Sequence, residues 1–122
     1  MIVYPHVVVS NLVKRNFDED LKDIERVVVE YIFKMRDEFC LNNIFKEDVS
    51  FSFPFEPNLT PEGVSVVVFV RDIMGGTRID RNRLASMISR ALRDEVLNRE
   101  VRVKVERFDV DEDGYFVARC DN

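Results

Sequence analysis

The sequence predicts an α+β fold: a two-layer sandwich of order β-α-β-β-α-β, with one four- to five-stranded sheet and two helices on one of its faces. Three observations carry this. Two stretches, about 18–39 and 81–97, repeat apolar residues at three- and four-residue steps, the period of a helix that buries one stripe. The segments 2–10, 49–55, 64–71 and 100–108 are rich in β-branched and aromatic residues, as strands are. Strands and helices also alternate so that the chain divides into two β-α-β halves. A right-handed crossover in each half puts both helices on the same side of the sheet.

The first strand, 2–10, contains Pro5, which has no N–H to give a ladder. It belongs on an edge, at a bulge or at the first position of the paired segment. In the first helix the stripe is Leu21, Ile24, Val28, Tyr31 or Ile32, Met35 and Phe39. Asn16 with Glu19 predicts a capping box, and Asp18 and Asp20 suit the positive end of the helix dipole. Val27-Val28-Val29 is a poor helix-forming run, so burial of the stripe must hold this helix rather than propensity.

The second strand places Phe51, Phe53 and Phe55 on one face and Ser50 and Ser52 on the other, with Pro54 making its end irregular. Residues 56–63 are a turn-rich connection. Val64 to Arg71 is nearly all apolar, as a central strand buried on both faces is. Gly75-Gly76 breaks the chain, Asp80 is the expected N-cap, and Leu84, Met87, Ile88, Ala91, Leu92 and Val96 line the second helix. Strand four alternates Val101, Val103 and Val105 inward with Arg102, Lys104 and Glu106 outward. Asp109 to Gly114 reads as a turn and Tyr115 to Ala118 as a short last strand.

The totals narrow the function. At 122 residues the chain, 1–122, is expected to be one domain with a sizeable core. Hydrophobic residues are 46% and charged residues 34%, which is the composition of a folded chain. A net charge of −5 argues against a nucleic-acid partner, since phosphate binding needs clustered Lys and Arg. No run has membrane-spanning length, and Val7-Val9 is too short for a signal peptide. Cys40 and Cys120 are isolated, without metal spacing, and read as reduced thiols in a cytoplasmic protein. His6 is the only histidine and is expected to be packed or at the surface, so no metal site is expected. Asp109-x-Asp111-x-Asp113-Gly114 matches half of a calcium loop, but Cys120 stands where a bidentate Glu is needed. An acidic turn is the better reading. Asn58-Leu59-Thr60 fits a glycosylation pattern that means nothing without secretion.

Three further features belong together. Pro5-His6 opens a valine-rich strand. Arg71-Asp72-Ile73-Met74-Gly75-Gly76-Thr77-Arg78 forms a glycine-containing turn with arginines after strand three. The turn leads directly into a helix. In order and spacing these features resemble the tautomerase superfamily, and within it the 5-carboxymethyl-2-hydroxymuconate isomerases.

That resemblance implies a cofactor-free proton shuttle on a small keto/enol carboxylic acid. Pro5 would be the base, Arg71 and Arg78 would clamp the carboxylate, and the assembly would be a homotrimer. Arginine offers a planar two-point grip on a carboxylate or enolate, and an amine held neutral near pH 7 is a competent base. Read without the resemblance, each arginine is a solvated or ion-paired side chain. Four residues precede Pro5, and an X-Pro nitrogen is a tertiary amide with no basic lone pair. The proline mechanism therefore requires a cut after Tyr4, or the Met1 amine, which titrates near ~8, as a substitute base. A non-catalytic, ligand-binding member of the same fold is the second reading.

A ferredoxin-like regulatory module is the third, because it has the same element order. There another strand lies between the two strands of each half, whereas in the tautomerase fold those strands pair directly. Periodicity does not separate the two. An open sheet with helices on one face only is also expected to be covered by another subunit, which predicts a homo-oligomer.

Overall fold

A computed structural model describes residues 3–12, 17–54, 65–108 and 118. Four strands and two helices follow one another in the expected order: β1 (His6–Ser10), α1 (Phe17–Lys34), β2 (Ser50–Ser52), β3 (Val66–Ile73), α2 (Arg78–Ala91) and β4 (Val101–Arg107). The sheet order is β2-β1-β3-β4. β1 pairs with β2 in parallel, β3 with β4 in parallel, and β1 with β3 antiparallel. The two strands of each half are direct neighbours, which excludes the ferredoxin-like order and leaves the tautomerase-like one.

One face of the sheet meets the helices. Val7 and Val9 of β1 and Val66, Val68 and Val70 of β3 are buried against Ile24, Val27, Val28 and Ile32 of α1 and Leu84 and Ile88 of α2. The other face carries His6, Val8 and Ser10 of β1 and Val67, Phe69 and Arg71 of β3 by alternation. Val8, Val67 and Phe69 stay half-buried there, with no helix among the described residues over them. β3 is central, as its composition predicts, but it is not buried on both faces: Val66, Val68 and Val70 are buried, Val67 and Phe69 only half-buried, and Arg71 is exposed.

Several boundaries differ from expectation for identifiable reasons. Regular α1 stops at Lys34, although Met35 and Phe39 are buried as the stripe requires. The chain continues in turns and closes a Schellman motif. Leu41 N–H reaches Arg36 O at 2.8 Å, Cys40 N–H reaches Asp37 O at 3.4 Å, and Cys40 is left-handed at φ 56°. β1 pairs only from His6, so Pro5 takes the first-position option, leading into an inner strand and not an edge. β2 is only Ser50–Ser52, because the chain leaves the ladder before Pro54. Its rings still stack, Phe51 and Phe53 lying 6.0 Å apart at 8°.

α2 begins three residues earlier than expected. Its N-cap is Thr77 and not Asp80. Thr77 Oγ1 accepts from Asp80 N–H at 3.2 Å, while Asp80 Oδ2 accepts from Thr77 N–H at 2.9 Å, a reciprocal capping box with Asp in the place usually held by Glu. The helix then loosens into a π-helical turn, Leu92–Leu97, and ends on left-handed Asn98, φ 49°, whose N–H reaches Arg93 O at 2.9 Å. The Asn16–Glu19 capping box, Phe55, the 56–63 connection, the acidic turn and the last strand, Ala118 excepted, lie outside the described residues. Ala118 is exposed.

Gly75-Gly76 is required by packing. Gly76 has φ +83°, and a Cβ there would stand 2.6 Å from Phe39 Cε1. A Cβ on Gly75 would stand 3.0 Å from Cys40 Sγ and 3.1 Å from Glu38 O. The turn after β3 therefore lies directly on the end of the α1 segment. Gly76→Ala is expected to cost about 1–3 kcal/mol from the left-handed conformation alone, plus the overlap with Phe39. Chemical denaturation of Gly76→Ala, Phe39→Leu and the double variant checks this, the double variant being less destabilised than the sum of the singles. Thr77→Ala removes the cap and is expected to cost about 0.5–2 kcal/mol, measured in the same way.

Candidate functional site

The strand directions gather one end of the sheet. β1 and β2 start there and β3 and β4 finish there, so Pro5, Ser50, Ile73 and Arg107 share that margin. Phe108 N–H to Ile73 O, 3.0 Å, and Ser50 N–H to Pro5 O, 3.2 Å, tie the strand ends together. The loop from β3 into α2 closes over the same end, bringing Arg78 as the first residue of that helix.

Pro5 is buried, on the side of Val7 and Val9, and its nitrogen is the amide joined to Tyr4. Arg71 is the register partner of His6 and so lies on the opposite, uncovered face. Its Nε stands 3.6 Å from Glu106 Oε2, and its guanidinium carbon lies 5.2 Å from the Phe69 ring centre. Immediately after it the β3–β4 register shifts, and Asp72 is left-handed at φ 65°, a bulge that turns the strand end. Arg78 is exposed. The fold thus brings Pro5, Arg71 and Arg78 to one end of the molecule, with Pro5 and Arg71 on different faces of the sheet.

Among the described residues, three large apolar side chains are exposed at this end: Tyr4 at 47%, Phe45 in the approach to β2 at 74%, and Ile79 in the first turn of α2 at 79%. Arg81, one turn into α2, reaches back to Gly76 O at 3.4 Å. The rim is therefore apolar and cationic together. Among the described residues, the carboxyls held below the usual range lie elsewhere. Asp94 is bonded by Arg93 and Glu100 by Arg102, both toward the opposite end of the sheet. Two shallow grooves, about 610 and 380 Å³, run along the outer side of α1 among mixed charges such as Lys22, Glu25, Arg26 and Glu30, and neither includes Pro5, Arg71 or Arg78.

His6 has a larger part than its sequence position suggests. Its Nδ1 is 2.6 Å from Ser50 Oγ and its Nε2 3.0 Å from Ser52 Oγ. The sequence shows that Ser50 and Ser52 share a face of β2. That this face meets His6 follows from the β1–β2 register, His6 opposite Ser50 and Val8 opposite Ser52.

No protein-family model matches the chain, and no curated protein matches it. Solved structures do. A macrophage migration inhibitory factor-like protein from Entamoeba histolytica is similar at 12% identity and TM-score 0.56, over 92% of this chain and 95% of that one. A 5-carboxymethyl-2-hydroxymuconate delta-isomerase is similar at 16% identity and TM-score 0.56, over 96% and 89%. A fused 4-OT wild-type asymmetric trimer is similar at 17% identity and TM-score 0.59, over 84% and 85%. At such identities the likeness is one of architecture. With the β2-β1-β3-β4 order, it shows that this chain has the tautomerase-like fold.

Proposed function

We propose that this chain is a tautomerase-like protein, one domain of residues 1–122, that takes a small keto/enol carboxylic acid at the Pro5 end of the sheet and needs no cofactor. The observation that carries the reading is the convergence there of Pro5, Arg71 and Arg78 with an apolar rim of Tyr4, Phe45 and Ile79. Cationic clamps beside apolar surface suit a small organic carboxylate. The 5-carboxymethyl-2-hydroxymuconate delta-isomerase among the similar structures supports this substrate class.

With Tyr4 attached, Pro5 cannot accept a proton, and the chain in that form binds without turning over. A cut between Tyr4 and Pro5 converts the amide into a secondary amine. Burial beside Val7 and neighbouring arginines would favour its neutral, basic form. The assembly in this reading is a homotrimer that covers the half-buried Val67 and Phe69, supported by the trimeric 4-OT structure. Its setting is the cytoplasm, in keeping with an exposed free thiol at Cys40.

Intact-mass measurement combined with ketonisation of 2-hydroxymuconate tests the chemistry. The full chain is expected at the buffer rate, and a chain beginning at Pro5 well above it. A Pro5-started chain no faster than buffer would sink the reading. In that active form, Arg78→Ala is expected to lower kcat/KM about 10- to 100-fold, the ~1.5–3 kcal/mol of a hydrogen bond to a charged group. Sedimentation checks the assembly, with Val67→Asp expected to shift a trimer toward monomer.

A further inference from the structure

The Ser50–His6–Ser52 contacts have no role in that proposal, and they form a chemically complete unit. A hydroxyl nucleophile needs a base within hydrogen-bond reach, and the base needs a third group to orient it. With its proton on Nε2, the His6 ring donates to Ser52 Oγ at 3.0 Å, and Nδ1 accepts the Ser50 hydroxyl at 2.6 Å. Ser50 is exposed and Ser52 half-buried, so the hydroxyl on the shorter contact is the one a substrate meets. All three side chains sit on strands held by the β1–β2 ladder. Across the sheet, Arg71 is the register neighbour of His6 and supplies a cation in the same row. The long Arg71–Glu106 contact, 3.6 Å, is the weak, exposed kind that an incoming anion displaces readily.

We infer that Ser50 and His6 form a second, acyl-transfer site at the Pro5 end of the sheet face turned away from the helices, outside the Val67–Phe69 patch that the trimer covers, taking small carboxylic esters or thioesters that carry an anionic group. Ser50 Oγ bonds to the acyl carbon as its proton passes to His6 Nδ1, and the carbonyl electron pair moves onto oxygen. Collapse restores the carbonyl and breaks the bond to the alcohol or thiol, which leaves with the proton from His6. Water then repeats the sequence on the acyl-Ser50, releasing the acid and restoring the hydroxyl. Nothing is oxidised or reduced. The step shares Arg71 with the keto/enol site but uses neither the Pro5 nitrogen nor Arg78, so Ser50 labelling and Pro5-dependent ketonisation fail separately.

The test uses the assembled full chain with a fluorophosphonate probe, read by peptide mass spectrometry, and with 4-nitrophenyl acetate and its anionic succinate counterpart. One label per chain is expected on Ser50, with nitrophenol release faster from the anionic ester. Ser50→Ala is expected to abolish both signals. His6→Gln keeps a side chain able to bond both serines but has no base, and is expected to slow both by about 10²–10⁴-fold, the range of general-base assistance. Thermal melting accompanies each variant. If His6→Gln does not fold, Ser52→Ala replaces it, leaving nucleophile and base but freeing the ring, and slower labelling is expected. No label, a label on Ser52 or elsewhere, or wild-type labelling in the folded variant overturns the assignment.

Discussion

The antiparallel ladder between β1 and β3 is the contact on which the rest of the molecule depends. It joins two β-α-β halves whose other strand pairs are both parallel, and its register runs from His6 opposite Arg71 to Ser10 opposite Val67. Within it Val7 and Val9 meet Val68 and Val70 on the buried face, so one ladder carries both the backbone bonds and the centre of the core. A slip of one residue would turn those valines to the uncovered face and His6, Val8 and Arg71 inward, exchanging an apolar core for charge. The hydrophobic pattern therefore fixes the register, and the register fixes the candidate site. It sets the start of β1 beside the end of β3, and with it Pro5 beside the turn that leads to Arg78.

The second constraint is how closely that turn approaches α1. Gly75 and Gly76 allow the chain leaving β3 to lie on Phe39 and Cys40, where a Cβ would find no room. The Schellman motif at Cys40 and the Thr77–Asp80 box then satisfy the free backbone groups at the end of one helical segment and the start of the other. Two helix termini and a tight turn thus stabilise one end of the sheet. That end also exposes Tyr4, Phe45 and Ile79, which makes its rigidity relevant to any ligand it holds.

Much of this was legible in the residues, unevenly. The elements and their order followed from strong periodicity, and the central place of β3 followed from its being apolar on both faces. The boundaries were less legible because they are decided by individual hydrogen bonds. Asp80 in α2 is a cap partner and not the cap, since Thr77 three residues earlier completes the reciprocal pair. β1 and β2 shortened because ladder pairing depends on where the partner strand runs. Nothing local to His6 marked its two serine partners, which come from a segment 44 and 46 residues away.

By itself the sequence determined the two amphipathic helices, the four strands, and the amide state of the Pro5 nitrogen, because each depends on local period or covalent bonding. The tertiary structure alone decided that the strands of each half pair directly, which separates this fold from the ferredoxin-like one. It also decided that Pro5 and Arg71 share an end but not a face, and that His6 stands between Ser50 and Ser52. Those are matters of strand order and register, set by long-range burial among segments that carry no local record of one another.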